Sequence, residues 1–178
     1  MVCNALAFLT KGPVVLFISG VVVLTLMIRR KEASFLLKVL NPLPFLAFLV
    51  LVLPWFWLSY QKVGMLLIED FFFKHNIGRF SRPMEGHGGS YFYYFGVLLL
   101  GFLPFSFSHL YGLYRSVKTR ADLTTTVIAL VWFISVFVLF TFSATKLPHY
   151  LMPGFFPLAL VSSAYFPQRG LAVAGGLA

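Results

Sequence analysis

Long apolar runs recur along this chain at near-regular intervals, separated by short basic or polar segments. Such runs need surroundings as apolar as themselves. A helix crossing about 30 Å of hydrocarbon, at about 1.5 Å per residue, takes roughly 20 mostly apolar residues. Five stretches approach or meet that length: residues 13–28, 42–59, 91–110, 125–143 and 150–166. None alternates polar and apolar residues as a lipid-facing strand does. The pattern predicts an all-α fold, a polytopic transmembrane helix bundle of about five spans forming one domain over 1–178. Composition agrees: 60% of the residues are hydrophobic and 11% charged, against about 45–50% and about 25% in a soluble domain. A core of this size cannot hide the excess.

The ends carry their own reading. Residues 1–8 lack a basic leader and a cleavage pattern, so they do not read as a signal peptide. They look like the end of a helix, and 171–178 like the start of another. Partial helices at both ends make the chain read as a fragment or a truncated gene product. Cys3, the single cysteine, excludes a disulfide framework within the chain and a cysteine-based metal site.

The net charge of +9 sits in the connections. Arg29, Arg30, Lys31 and Lys38 follow the first run; Arg115, Lys118 and Arg120 follow the third; Arg169 follows the fifth. Alternating spans put those connections on one side, which the positive-inside rule makes cytoplasmic. Topology and lipid headgroups account for these charges, and no basic helix stands on a globular fold, so nucleic acid is not an expected partner. The opposite side holds Lys11, the loop 60–90 and the turn 144–149. The aromatics Tyr91 to Tyr94, like Trp55 and Trp57, read as an interfacial belt, with substrate stacking as the alternative for the first group.

The loop 60–90 is long for a membrane connection, and loops of this size are usually functional or disordered. Its apolar content predicts a helix packed near the membrane surface. Asp70 and Lys74 are spaced for a helix-surface ion pair. His75 and Arg79 share that spacing and offer either two donors for a phosphate or a solvated face. Residues 82–90, rich in glycine, read as a mobile gate or a plain linker. Glu85, His87 and His75 include the ligand types of a divalent metal, at a spacing that matches no metal motif. His109, at a helix end, reads as interfacial. Lys11 and Lys146 stand at the outer ends of runs, flanked by Gly or Pro; each either snorkels or faces a cavity wall as a phosphate partner.

Four strings in order carry a resemblance: Leu9-Thr10-Lys11-Gly12-Pro13, Phe73-Lys74-His75-Asn76-Ile77-Gly78-Arg79-Phe80, Tyr93-Tyr94 leading to Gly101-Phe102-Leu103-Pro104, and Lys146-Leu147-Pro148-His149-Tyr150-Leu151-Met152-Pro153. Together they resemble the middle of a membrane glycosyltransferase that uses polyprenyl-phosphate sugars, the family of the bacterial 4-amino-4-deoxy-L-arabinose lipid A transferases and the dolichyl-phosphate-mannose protein mannosyltransferases. The resemblance implies a C-type glycosyltransferase fold with a cavity open to the periplasm, in a bacterial inner membrane. It implies a polyprenyl-phosphate-linked sugar as donor, a lipid or protein acceptor, and contact with membrane lipids. It assigns the donor phosphate to Lys11, Arg79 and Lys146, with His75 and Tyr150 as neighbours. In some relatives a histidine of the corresponding loop helps hold a divalent metal, which points to His75.

The chain departs from the family in one respect. The family's acidic catalytic residue lies in the first outer loop, which has no counterpart here, so the isolated chain is expected to be inactive. The alternative reading is a transporter or flippase for a lipid-linked or anionic solute, which would call for matched broken helices in an internal repeat. No such repeat is visible in the sequence.

Overall fold

The computed structural model describes residues 1–30, 41–119 and 124–163. Lys31, Lys38, Arg120, Arg169, the end of the 150–166 run and the stretch 171–178 lie outside the described residues. Among the described residues the regular structure is helical, with no strand.

Helix α1 (Val2–Lys11) and helix α2 (Val14–Arg30) meet at a sharp corner. Gly12 makes that corner with φ 73° and ψ −158°, a region essentially reserved for glycine. Its N–H donates to the Phe8 carbonyl at 2.8 Å, closing the end of α1. Helix α3 (Pro42–Val63) is started by the Asn41 side chain, which accepts from the Leu43 N–H at 3.0 Å, with Pro42 in the first turn. Most of its apolar side chains, among them Leu43, Val50 and Trp57, are exposed. Lipid or further helices are the surroundings that suit them.

The segment after α3 does not continue as an ordinary helix. A short turn, Leu66–Ile68, leads into a π-helix, Glu69–Gly78, and then a last turn, Arg79–Ser81. Asp70 and Lys74 form the expected exposed ion pair, at 3.4 Å.

The 91–110 run departs from a single straight span. It folds as helix α4 (Tyr93–Gly101) and helix α5 (Ser106–Lys118), bent by 113° across four intervening residues. Nine residues rise only about 14 Å, half a hydrocarbon layer. Hydropathy alone does not register such a bend, because the break itself, Phe102 to Phe105, is apolar. Helix α6 (Thr124–Phe142) is apolar throughout, and the Ser135 hydroxyl returns to its own helix by donating to Val131 at 2.7 Å. A 3-10 turn, Pro148–Leu151, opens helix α7 (Met152–Ser163). Among the described residues two helices, α3 and α6, are each long and apolar enough to cross a membrane; the bent pair makes three if it counts as one span. That is fewer than the expected five, because α2 is slightly short by this measure and α7 is described only to Ser163.

Two apolar clusters hold the bundle. One joins α1 and α3 through Ala5, Phe8, Phe48 and Val52, with Phe71 and Phe72 of the π-helix packed on it. The other gathers Ile18, Leu98, Phe133, Val136, Leu151 and Leu158 from α2, α4, α6 and α7. Close approach of backbones does the rest. At Gly112 of α5 a Cβ would stand 2.5 Å from the Ser162 Cα of α7, the small-against-small contact by which helices associate in lipid. Gly112→Leu should therefore separate α5 from α7 and cost about 1–3 kcal/mol. A lowered thermal midpoint in detergent, with Gly20→Leu on open surface as the unaffected control, checks this.

Candidate functional site

Between the two clusters, at the end of the bundle where α1 stops and α7 begins, lies a cavity of about 710 Å³. Lys11, His75, Arg79, His149 and Tyr150 all line it, and none of the described carboxylates does. Each arrives there for a local reason. Lys11 is the last residue of α1, presented at the Gly12 corner. His75 and Arg79 come from the π-helix and the turn after it; the wider π turn keeps residues four apart near one face. Tyr150 comes from the 3-10 turn, where it is buried.

Tyr150 is the hub. Its hydroxyl accepts a hydrogen bond from Nη1 of Arg79 at 2.9 Å, and Nζ of Lys11 lies 5.1 Å from the centre of its ring. Nη2 of Arg79 pairs with Glu85 at 3.7 Å, and the Glu85 side chain is 62% exposed. Such a pair is weakly held and open to exchange. Nε of Arg79 is buried without a hydrogen-bond partner. The Tyr150 bond raises the affinity of Arg79 for its proton, while burial and the Arg79 charge lower that of Lys11. Lys11 has substantial surface open to solvent yet feels that cost because the open face is a cavity, flanked by protein. Two cations thus line one cavity that none of the described carboxylates lines, a charge balance that suits an anion.

Lys146 does not join them. It is 4% exposed and is absent from the cavity wall. Its Nζ donates to the carbonyls of Phe140, at 3.2 Å, and Thr141, capping the C-terminal end of α6. The same ammonium lies over the rings of Tyr91 at 5.6 Å and Tyr94 at 5.5 Å. Burial lowers its pKa from the usual lysine range. Two of the three N–H donors of Lys146 are thus engaged at a helix end, which sets it apart from the cavity where a phosphate role was expected for it.

The segment 79–90, which includes the glycine-rich loop, is tied to a distant part of the chain. It is joined to the turn after α6: Ala144 N–H donates to Phe80 O at 2.9 Å, Thr145 N–H to Arg79 O at 3.0 Å and Lys146 N–H to His87 O at 2.7 Å. The Thr145 hydroxyl donates to Arg82 O at 3.0 Å and accepts from Met84 N–H at 3.2 Å. Among the described residues no three His, Cys, Asp or Glu side chains come together to hold a metal. Glu85 turns to Arg79 instead of joining His75 and His87, so the described residues do not fit a divalent ion at His75.

Three contributors were hidden in the sequence. Tyr94, read there as part of the belt, is fully buried; its hydroxyl donates to Leu147 O at 3.2 Å and accepts from Leu147 N–H at 3.3 Å. Tyr91 and Phe92 are exposed, as a belt requires. Asn76 packs under the Gly12 corner, its amide 2.9 Å from where a Cβ would stand. His149 joins the cavity wall. His109 meets Ser162 between α5 and α7 and lies outside the cavity.

The fold is that of an integral membrane helix bundle with a cavity lined by cations at one end. Comparison with known proteins shows what it resembles. The chain is 29% identical over 160 residues, 90% of its length, to the undecaprenyl phosphate-alpha-4-amino-4-deoxy-L-arabinose arabinosyl transferase 2 of Proteus mirabilis (strain HI4320). It is 28% identical over 164 residues to the corresponding transferase of Yersinia pestis (strain Pestoides F). The crystal structure of ArnT from Cupriavidus metallidurans bound to undecaprenyl phosphate superposes with a TM-score of 0.74 and 26% identity, covering 98% of this chain and 33% of that one. The apo structure of the same protein gives 0.70. No family model matches the chain. The chain spans 29% of the length of these curated relatives and over that part resembles their sequence; the fold it shares is that of about a third of the Cupriavidus metallidurans structure.

Two substitutions separate the roles assigned here. Lys146→Met should cost about 1–3 kcal/mol by leaving carbonyls at the end of α6 unpaired, read as a lower thermal midpoint, with Lys146→Arg recovering part of it. Gly12→Ala should cost about 1–3 kcal/mol for its backbone conformation and also push Asn76 away from the corner that presents Lys11.

Proposed function

We propose that the protein acts in an integral membrane glycosyltransferase that moves a sugar from a polyprenyl-phosphate donor to a lipid or protein hydroxyl on the periplasmic side of the bacterial inner membrane. The observation that carries this reading is the convergence of Lys11, Arg79 and Tyr150 on one cavity, in a chain that matches arabinosyl transferases over nine tenths of its length. The relatives named above are transferases, which favours this reading over a transporter.

The chemistry suits the geometry. In the donor the phosphate is a diester with one negative charge. As the bond from the anomeric carbon to the phosphate oxygen breaks, that oxygen keeps the electron pair and the departing phosphate gains a second charge. Cations already in place stabilise this growing charge without reorganising. Lys11 contributes a point charge, and Arg79 contributes a planar fork of donors, one of them now on loosely held Glu85. Tyr150 accepts from Arg79 and keeps its own O–H for the phosphate. The acceptor hydroxyl also needs a base. Glu69 and Asp70 are exposed, Asp70 is paired with Lys74, and neither lines the cavity. Glu85 does not line it either, so the base is expected from outside the described residues.

Lys11→Met and Arg79→Met should each weaken binding of an isoprenoid phosphate by about tenfold or more, the scale of a lost charged hydrogen bond. Arg79→Lys should recover only part, since an ammonium cannot reproduce the fork. Titration of the detergent-solubilised protein with farnesyl phosphate measures this. Unchanged affinity in both methionine variants would remove the phosphate assignment.

A further inference from the structure

The phosphate seat leaves one titratable cavity residue unused. His149 stands in the Pro148–Leu151 turn, one residue before Tyr150, and lines the same cavity as Lys11 and Arg79. Its ring meets that of Tyr150 edge-on, with centroids 4.9 Å apart and planes at 82°. The ionisable groups around it come from three elements: Lys11 at the end of α1, His75 and Arg79 from the π-helix and following turn, and Tyr150 on its own turn. The walls from α2 and α6 add Pro13, Val14, Phe17, Leu139, Phe140 and Ser143, none of which carries charge. Glu85, the carboxylate paired to Arg79, is largely exposed and does not line the cavity. In the ligand-free cavity His149 therefore faces two cations with no lining carboxylate to offset them.

We propose that His149 is a further anion-binding residue of this cavity, completing with Lys11 and Arg79 a ring of donors around a phosphate group and taking up one proton as that group enters. The proposal rests on the phosphate reading given above and adds a proton linkage to it. Burial, Lys11 and Arg79 all hold the imidazole below its ordinary value, which for an unperturbed histidine is about 6.5. A phosphate between the two cations cancels their repulsion and itself favours the imidazolium, so the bound-state pKa rises. Binding then takes up a proton from solvent at pH values between the free and bound pKa. Affinity is greatest below that window and declines as pH rises through it. When the sugar departs and the phosphate gains its second charge, the imidazolium is the group that matches it.

The test uses farnesyl methyl phosphate, a diester that carries one fixed charge, so that the probe itself does not titrate. Calorimetry on the detergent-solubilised protein, from about pH 5.5 to 8 in two buffers of different ionisation heat, gives affinity and proton uptake together. Affinity is expected to fall about tenfold across the range, one unit of pKa shift being tenfold, with uptake approaching one proton. His149→Gln should abolish both the slope and the uptake, whereas His75→Gln should keep them. In the wild type, isotope-labelled His149 should titrate at higher pH with probe bound, a readout independent of any variant's folding. A slope that survives His149→Gln, a slope that vanishes with His75→Gln, or binding without a slope overturns the role of His149 alone. Absence of binding at every pH overturns the phosphate seat itself, and with it this proposal.

Discussion

The seam of hydrogen bonds between residues 79–87 and the turn 143–146 is what the candidate site depends on. These segments lie some sixty residues apart in sequence, yet backbone and hydroxyl groups of one repeatedly satisfy the other. The carbonyl of Arg79 accepts from both the Thr145 N–H and the Ser143 hydroxyl. That double anchor fixes the backbone from which the guanidinium reaches Tyr150. Backbone groups left bare at the edge of an apolar layer are costly, so the seam satisfies them and sets the geometry of the cavity wall at once.

The two lysines show how tertiary contacts divide one residue type between two tasks. Both sit at the end of an apolar run beside a helix breaker, and both are partly desolvated. Lys146 directs its donors at carbonyls that α6 cannot satisfy itself, over two aromatic faces. Lys11 has an aromatic face but no carboxylate, and its charge remains available to the cavity. A buried ammonium bonded to a helix end holds structure; an ammonium facing open volume can hold a ligand.

The apolar interior supports this arrangement from below. The cluster around Phe8 and Phe48 carries Phe71 and Phe72 of the π-helix, so the segment bearing His75 and Arg79 is seated on α1 and α3. The second cluster seats Tyr150 and Leu151 against α4 and α6. The cavity is the gap left where these two bodies of packing meet, which explains its aromatic walls and its few polar groups.

Much of this was legible in the residues themselves. Apolar run length required a helical membrane bundle, because only helices satisfy their own backbone in lipid at these lengths. The placement of Lys11, His75, Arg79 and Tyr150 at connections, together with four family-like strings, pointed to one end of the bundle and to phosphate. Hydropathy could not reveal the bend between α4 and α5, since the break itself is apolar. Nor could it separate Tyr94 from Tyr91, because burial depends on what lies opposite. Side-chain direction was equally out of reach: nothing local shows that Lys146 turns onto α6 while Lys11 faces the cavity, or that His149 stands among cations. The sequence by itself determined the solvent this chain needs and the cations available to the proposed site, both of which are properties of residue types and their spacing. Which ingredients meet was decided by the tertiary structure alone, because hydrogen bonds and packing between distant segments set where each side chain can point.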